Sequence, residues 1–395
     1  MPGALDGYRI IEIAQVLSGP LATRILADQG ADVIKVEPPT GDIVRHVGGI
    51  DGLTPVFMST NRNKRSLVLD LGSPDGLEAL KRLVKTADVF VQNSRPGVAE
   101  RLGVGADELR TLNPRLIYAS ISGFGESGPY SGKRVYDPLI QAMSGLTDIQ
   151  QGPDGRPGLI RLIVPDKVTG LTAAQAITAA LLARERTGEG QHIRLAMLDA
   201  VIGFAWPEGM AYHTFLRDGK PFGKPVQRRD LVYKSADGYI VVSTVAHREF
   251  AGFCRAAGKT EWLEDPRFLD TAGLVANAKE RLDLMAEVLL TRKTDDWIEA
   301  LDREDVPCAP VLRRDQLHEN EQIQNNEIMV DAKHPIAGEF RQARPPERMD
   351  GTPSGIARFA PSLGEHTDEI LTEIGMSSAE IESLRSSGVL GETGS

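Results

Sequence analysis

Short apolar runs alternate with amphipathic segments through the first third of this chain, and that alternation constrains its fold more than any other feature. Tyr8–Ala14 reads as a strand, Pro20–Gln29 as a helix closed by Gly30, and Asp32–Glu37 as a second strand. Glycine is a favoured residue just past a helix end. After the segment NRNKRS (61–66), the spacing predicts a strand over Leu67–Leu71, a helix over Pro74–Thr86, and strands over Asp88–Gln92 and Leu116–Ser122. A helix between two strands carries the chain back to the starting edge, so the strands run parallel. The expected class is therefore α/β, with a doubly wound, Rossmann-like sheet. The first turn, AQVLSGP (14–20), holds one glycine and a proline in place of G-x-G-x-x-G. Glu37 ends the second strand where a ribose-binding acid would stand, but without the fingerprint a nicotinamide enzyme is disfavoured.

At 395 residues the chain exceeds the usual size of one core, and two domains are expected. The large domain is read as 1–216 and the segment RDGKPFGKPVQRRD (217–230) as a linker, because Gly, Pro and charge are concentrated there. The run LVYKSADGYIVVST opens a smaller α+β domain over 231–325, with Asp237-Gly238 at a hairpin turn. Residues 326–395 read as a return segment, Pro-rich at first. It ends in two short helices, starting near Thr367 and Ser378, that pack on the large domain.

Composition narrows the function. Hydrophobic residues at 41% and charged residues at 25% are those of a soluble globular protein. A net charge of −10 argues against nucleic acid and against an anionic membrane surface as partners. Cys254 and Cys308 are the only cysteines, too few for a disulfide framework, which suits a reducing cytosol. The start MPGALDGYRI lacks a signal pattern, and the apolar stretch around 171–183 is too short to span a bilayer. The seven histidines form no HExxH and the cysteines no ligand pair, so no metal site is expected.

One carboxylate stands out. In RLIVPDKVTGLTAAQ (161–175), Asp166 lies between an apolar run, Leu159–Val164, read as a buried strand, and a helix expected over Val168–Arg186. Pro165 would end the strand because it lacks a ladder donor. At such a junction an Asp serves either as a helix N-cap or as a nucleophile or base held at the positive helix end. Local sequence leaves both open.

Several segments in order resemble the class III coenzyme A transferase family, also called the carnitine-dehydratase and bile-acid-inducible type. They are LDGYRIIEIAQVLSGPLATRILADQGADVIKVEPP, NRNKRSLVLDL, ADVFVQNSRPGVAERLG, NPRLIYASISGFGESGPY, VPDKVTG, TGEGQHIRLAMLDA and PSLGEHTDEIL, and they span nearly the whole chain. The resemblance implies a transferase whose Asp, at the place of Asp166, attacks an acyl-CoA thioester and passes through an aspartyl-CoA thioester. An ordinary Asp, with reference pKa of about 3.9, is ionised for this at neutral pH. The resemblance places CoA contacts at Leu17 and Ser18, at Leu69, Asp70, Leu71 and Gly72, and at Asn93, Ser94 and Arg95. Arg101 and the run Arg134, Val135, Tyr136 and Asp137 complete the set. Arg95, Arg101 and Arg134 would offer guanidiniums to phosphate. The run Arg62, Lys64, Arg65 reads as a solvated loop and is left out of the site.

The resemblance further implies coenzyme A and acyl-CoA as substrates with no permanently bound cofactor, and a carboxylic acid as second substrate. It also implies a cytoplasmic, interlocked homodimer in which each chain threads through the other. Two departures matter. Racemases of the family have a His where Tyr136 stands. The formyl-CoA:oxalate transferases have a Gln where Leu17 stands and a glycine run that this chain lacks. An acyl-CoA racemase or isomerase using Asp166 with Asp137 or Tyr136 is the alternative enzyme, and a catalytically silent CoA-binding protein is the non-enzymatic one.

Overall fold

A computed structural model describes residues 1–152, 154–222 and 230–391. Contacts divide the chain into two compact units, Met1–Gly223 together with Glu327–Ser395, and Lys224–Asn326.

The first unit is built on six parallel strands: β1 Arg9–Glu12, β2 Asp32–Glu37, β3 Lys64–Val68, β4 Val89–Gln92, β5 Ile117–Ser122 and β6 His192–Ala196. Their order, β3-β2-β1-β4-β5-β6, is that of a Rossmann sheet and reverses direction between β1 and β4. Adjacent side chains point to opposite faces. Ile10, Val89, Val91, Ile117 and Ala119 enter one core, whereas Ile11, Phe90 and Tyr118 enter the other. Both faces being covered at the sheet centre, a strand there such as β4, VFVQ, reads as a near-continuous apolar run.

The connections place helices α1 Ser18–Asp28, α2 Pro55–Asn61, α3 Pro74–Val84, α4 Val98–Arg101, α5 Ala106–Leu112, α6 Asp137–Met143 and α7 Leu146–Ile149. The long α8 Pro165–Thr187 is followed by α9 Met197–Gly209 and α10 Ala211–Thr214. Small residues of α8, including Ala173, Ala174 and Ala180, pack into one core beside Ala22 and Leu26 of α1. Residues 217–222 of the expected linker lie partly in a tiny antiparallel hairpin, β7 Leu216–Arg217 with β8 Lys220–Pro221. The expected linker residues 223–229 lie outside the described residues.

The second unit pairs β9 Val232–Lys234 and β10 Tyr239–Val242 as an antiparallel hairpin and adds β11 Cys308–Pro310 beside β10. Helices α11 His247–Ala257, α12 Thr271–Ala276, α13 Ala278–Leu289, α14 Thr294–Asp302 and α15 Glu321–Asn325 complete it. Phe253 stacks on Trp297 at its centre. The chain then forms the hairpin β12 Met329–His334 and β13 Gly338–Ala343, and ends with α16 Thr367–Glu373 and α17 Ser378–Ser386. Ile370, Leu371, Ile381 and Leu384 of these last helices share a core with Ile11 and Phe90.

Three local expectations are corrected. Residues 159–164 form no strand: Leu159, Leu162 and Ile163 are exposed, and the Ile160 amide donates to the Gln141 side chain at 2.9 Å. Helix α8 starts at Pro165 itself, which takes the first helical position where a missing N–H costs nothing. Strand β3 begins at Lys64, three residues before the expected Leu67, and is buried along its whole length. The basic run is therefore no solvated loop. Lys64 bonds Glu12 at 2.6 Å, Arg62 pairs with Asp28 at 2.8 Å, and Arg65 spans Asp32 and Glu373 at 2.7 and 2.6 Å. Paired charges take the place of the apolar pattern that would have signalled a strand.

Candidate active site

Where the strand order reverses, the connections from β1 and β4 leave toward opposite faces and open a crevice between them. The two loops are stitched together there. The Gln15 amide donates to Asn93 Oδ1 at 2.9 Å, and Asn93 Nδ2 donates to the Gln15 carbonyl at 2.7 Å. Next along the chain, Val16 has φ +70°, a left-handed conformation that a β-branched residue rarely adopts. Its amide donates to both carboxylate oxygens of the buried Asp42, at 3.2 Å each. Ser18 then opens α1.

Asp166 reaches this turn from α8. The helix's N-cap is Val164, so Asp166 lies inside the first turn and is not the cap. The positive helix end still favours its anionic form. One turn on, a Cβ on Gly170 would fall 2.9 Å from the Ser18 carbonyl oxygen and 3.1 Å from Leu21 Cβ. Only glycine lets α8 lie this close to the start of α1, and that closeness sets Asp166 against Ser18. On the far side, a Cβ on Gly123 would strike Val135 at 2.4 Å, so this glycine lets residues 134–137 lie against the end of β5.

The result is a cleft of about 340 Å³ whose walls include Gln15, Ser18, Asn93, Ser94, Tyr136 and Asp166. Asp137, the first residue of α6, is buried, and its Oδ1 accepts from Gln141 Nε2 at 2.6 Å. Burial first, and then the neighbouring Asp137 carboxylate, push the Asp166 carboxyl up to about 6 against the pull of the Ser18 amide and hydroxyl. The Asp137 carboxyl is also raised by burial, against the pull of Gln141, the Asp166 amide and Lys167. The expectation of an ordinary Asp166 pKa is thus corrected. A carboxylate stripped of water, with few donors to stabilise it, is a stronger nucleophile than a solvated one and is still mostly ionised at neutral pH.

The other positions singled out in the sequence fall into three groups. Ser18, Asn93, Ser94, Val135 and Tyr136 line the Asp166 cleft, with Leu17 buried at the head of α1. The Asn93 side chain is already engaged with the Gln15 backbone on both its oxygen and its nitrogen. Arg95 lines an adjoining cleft of about 430 Å³ that shares Ser94, Ile121 and Ser122 with the first. Arg95, Arg101 and Arg134 are exposed and form no ion pair among the described residues. Arg101 folds back on the loop after β4, with Nη1 3.1 Å from where a Gly97 Cβ would stand. Leu69, Asp70, Leu71 and Gly72 follow β3 at the sheet edge, two strands from the crevice, and are not part of the cleft wall. Leu69 is buried, and Asp70 Oδ1 caps the turn by accepting from the Gly72 amide at 2.9 Å.

Sequence reading passed over Gln15, Val16 and Met197, which also line the cleft. The βα turn AQVLSGP was a signal for the first two. Met197 follows β6, a strand not identified in the sequence because only one face of HIRLA is apolar and its burial is partial.

The model of CoA-transferase family III matches residues 5–367. A succinate–glutarate CoA-transferase of Agrobacterium fabrum is 34% identical, the match covering 94% of this chain and 95% of that protein. A formyl-CoA:oxalate CoA-transferase of a Bradyrhizobium species is 33% identical over 99% of this chain and 98% of its own. The crystal structure of a CAIB/BAIF family protein from Brucella suis superposes with a TM-score of 0.82 at 32% identity, covering 95% of this chain and all of that one (100%). Taken with the Asp166 cleft at the sheet's point of reversal, these matches show that the chain belongs to CoA-transferase family III and is a CoA-transferase.

Proposed function

We propose that the protein moves coenzyme A from an acyl-CoA thioester to a free carboxylic acid through an aspartyl-CoA thioester on Asp166. The observation that carries this reading is Asp166 itself, a partly desolvated carboxyl with pKa near 6 at the head of a long helix, facing the cleft beside Ser18. Its carboxylate oxygen attacks the thioester carbonyl, the C–S bond breaks, and CoA leaves as thiolate from a mixed anhydride. The thiolate then attacks the aspartyl carbonyl, releasing the donor's acid and leaving aspartyl-CoA. The acceptor carboxylate attacks that thioester and the sequence runs in reverse, freeing Asp166. No proton need be held, which suits a cleft whose titratable lining is Asp166 and the Tyr136 phenol.

Relatives named for succinate, glutarate and oxalate support a small carboxylate as acceptor. Arg95, Arg101 and Arg134, exposed and free of ion pairs among the described residues, suit the CoA phosphates. We propose the two compact units as its two domains, with residues 327–395 completing the first. Exposed apolar residues on α8 and α9 (Leu171, Leu182, Phe204 and Trp206) support a homodimer that covers them. Its two free cysteines suit a reducing cytoplasm.

The test is to incubate the enzyme with an acyl-CoA and hydroxylamine and to map the adduct by mass spectrometry. A hydroxamate at residue 166 is expected, and modification at another acid or at none under turnover sinks the mechanism. A 2-methylacyl-CoA in heavy water should gain no α-deuterium above background. Rapid uptake dependent on Asp166 would favour a racemase.

A further inference from the structure

We propose that Asp42 is a positioning residue for the reaction, holding the strained Val16 turn so that Ser18 stays against Asp166. The inference rests on Asp166 being the attacking carboxylate. Val16 is 39% exposed, so core packing does not explain its unfavourable φ of +70°. What does is the grip on its amide, which reaches both oxygens of Asp42 at 3.2 Å.

Asp42 is itself immobilised. It is fully buried, pairs with Lys35 Nζ at 2.9 Å, accepts from the Val44 amide at 3.2 Å, and donates its own amide to Glu37 at 3.0 Å. Lys35 also donates to the Ala14 carbonyl at 2.9 Å. The pair thus ties the turn at Ala14 and again at Val16, while Asn93 holds Gln15 between them. Two residues beyond Val16 stands Ser18, whose amide and hydroxyl face Asp166. A residue with φ above zero persists only where its surroundings over-determine it, and such strain gathers at working sites. Here the structure buries a charged pair beneath the turn, and the turn aims the first residue of α1 at the nucleophile.

The test uses the full chain at saturating acyl-CoA and reads the rate of hydroxamate formation, so that weakened binding does not enter. Asp42→Asn, which loses the Lys35 pairing and one carboxylate acceptor, should lower that rate roughly ten- to hundredfold, with KM for the acyl-CoA rising less than about threefold. Adding Val16→Gly should restore the rate to within a few fold of wild type, because glycine takes positive φ without being held. A merely structural Asp42 would not be rescued by a more flexible neighbour, so failure of the double variant to recover overturns the proposal. Val16→Pro fixes φ near −65° and removes the amide at an exposed position; it should lose rate as Asp42→Asn does, and it decides the matter alone if Asp42→Asn does not fold. Full activity in either single variant overturns the proposal. Asp166→Asn runs alongside and is expected to be inactive. If it is inactive while Asp42→Asn is fully active, only the positioning role falls; if it retains activity, the nucleophile reading falls instead.

Discussion

Two groups of charges in the first unit follow opposite rules. Under β1–β3, Glu12, Lys35, Asp42 and Lys64 have fully buried side chains, and acid alternates with base at 2.6 to 3.3 Å. Across the crevice, Asp166 and Asp137 are two neighbouring carboxyls, both raised by burial; the Asp137 carboxylate raises Asp166 as well, and only Lys167 acts on Asp137 from the cationic side. In the first group each charge has a counterion, and the acids hold Lys35 protonated, up to about 12, despite its burial. Lys64 shows the limit of that compensation, since burial brings it down to about 8 even beside Glu12. In the second group burial is left largely uncompensated, and the Asp166 carboxyl rises to about 6. Compensated burial builds structure; uncompensated burial leaves a carboxyl ready to react.

The comparison breaks most readily through activity. Asp166→Asn should lower CoA transfer by at least ~10⁴-fold, the scale seen when a covalent nucleophile is removed. Calorimetric CoA-ester affinity should stay within a few fold. Transfer at a tenth of the wild-type rate would remove Asp166 from the chemistry.

Glu12→Gln tests the other group. It leaves Lys35 and Lys64 short of an anion in a dry interior, and breaking a buried pair costs about 3–5 kcal/mol. Urea unfolding should show that loss. A change below ~1 kcal/mol would mean that the two lysines shed their charge or reach water.

Arginine outside these groups sharpens the contrast further. Arg101, exposed and free of ion pairs among the described residues, should give on change to Ala a loss of CoA-ester affinity of about 1.5–3 kcal/mol, or roughly ten- to hundredfold, with unfolding unchanged. An unchanged dissociation constant would place it on an ordinary surface.

The smallest effect concerns stability. Asp166 has a folded pKa raised from 3.8 to about 6, so between these values the folded state holds more protons than the unfolded one. Stability therefore falls as pH rises through that window, and above it the charged carboxylate destabilises the fold. Asp166→Asn should be more stable than wild type at pH 8 by about 1–3 kcal/mol, from 1.36 kcal/mol per pKa unit. The gain should vanish near pH 4. The wild-type kcat/KM should in turn fall about tenfold per pH unit below ~6 as the nucleophile protonates. A stability difference independent of pH would dissociate the variant's effect from this titration.

The extent to which the chain could be read follows the reach of the interactions. The strand Asp32–Glu37 and the helix starts at Pro74, Thr367 and Ser378 were legible, because apolar spacing, Pro at the first helical turn and the Ser377 cap act within a few residues. β3 was misplaced because the partners that let Arg65 enter it, Glu369 and Glu373, lie some 300 residues away. The apolar run 159–164 was misread for the complementary reason. Hydrophobic residues make a strand only where a neighbouring strand supplies the ladder, and Ile160 instead bonds the side chain of Gln141.

The amino-acid sequence alone thus determined the α/β alternation and, through its family resemblance, singled out Asp166 in VPDKVTG. Tertiary structure alone decided the setting of that carboxyl. Its raised pKa requires Gly170 to admit α8 against α1 and Asp137 to lie beside it. The left-handed Val16 requires Asp42 from the loop after β2. Periodicity and turn chemistry are local and are written in neighbouring residues, whereas desolvation and strain depend on what packs from elsewhere, and no stretch of the chain records that by itself.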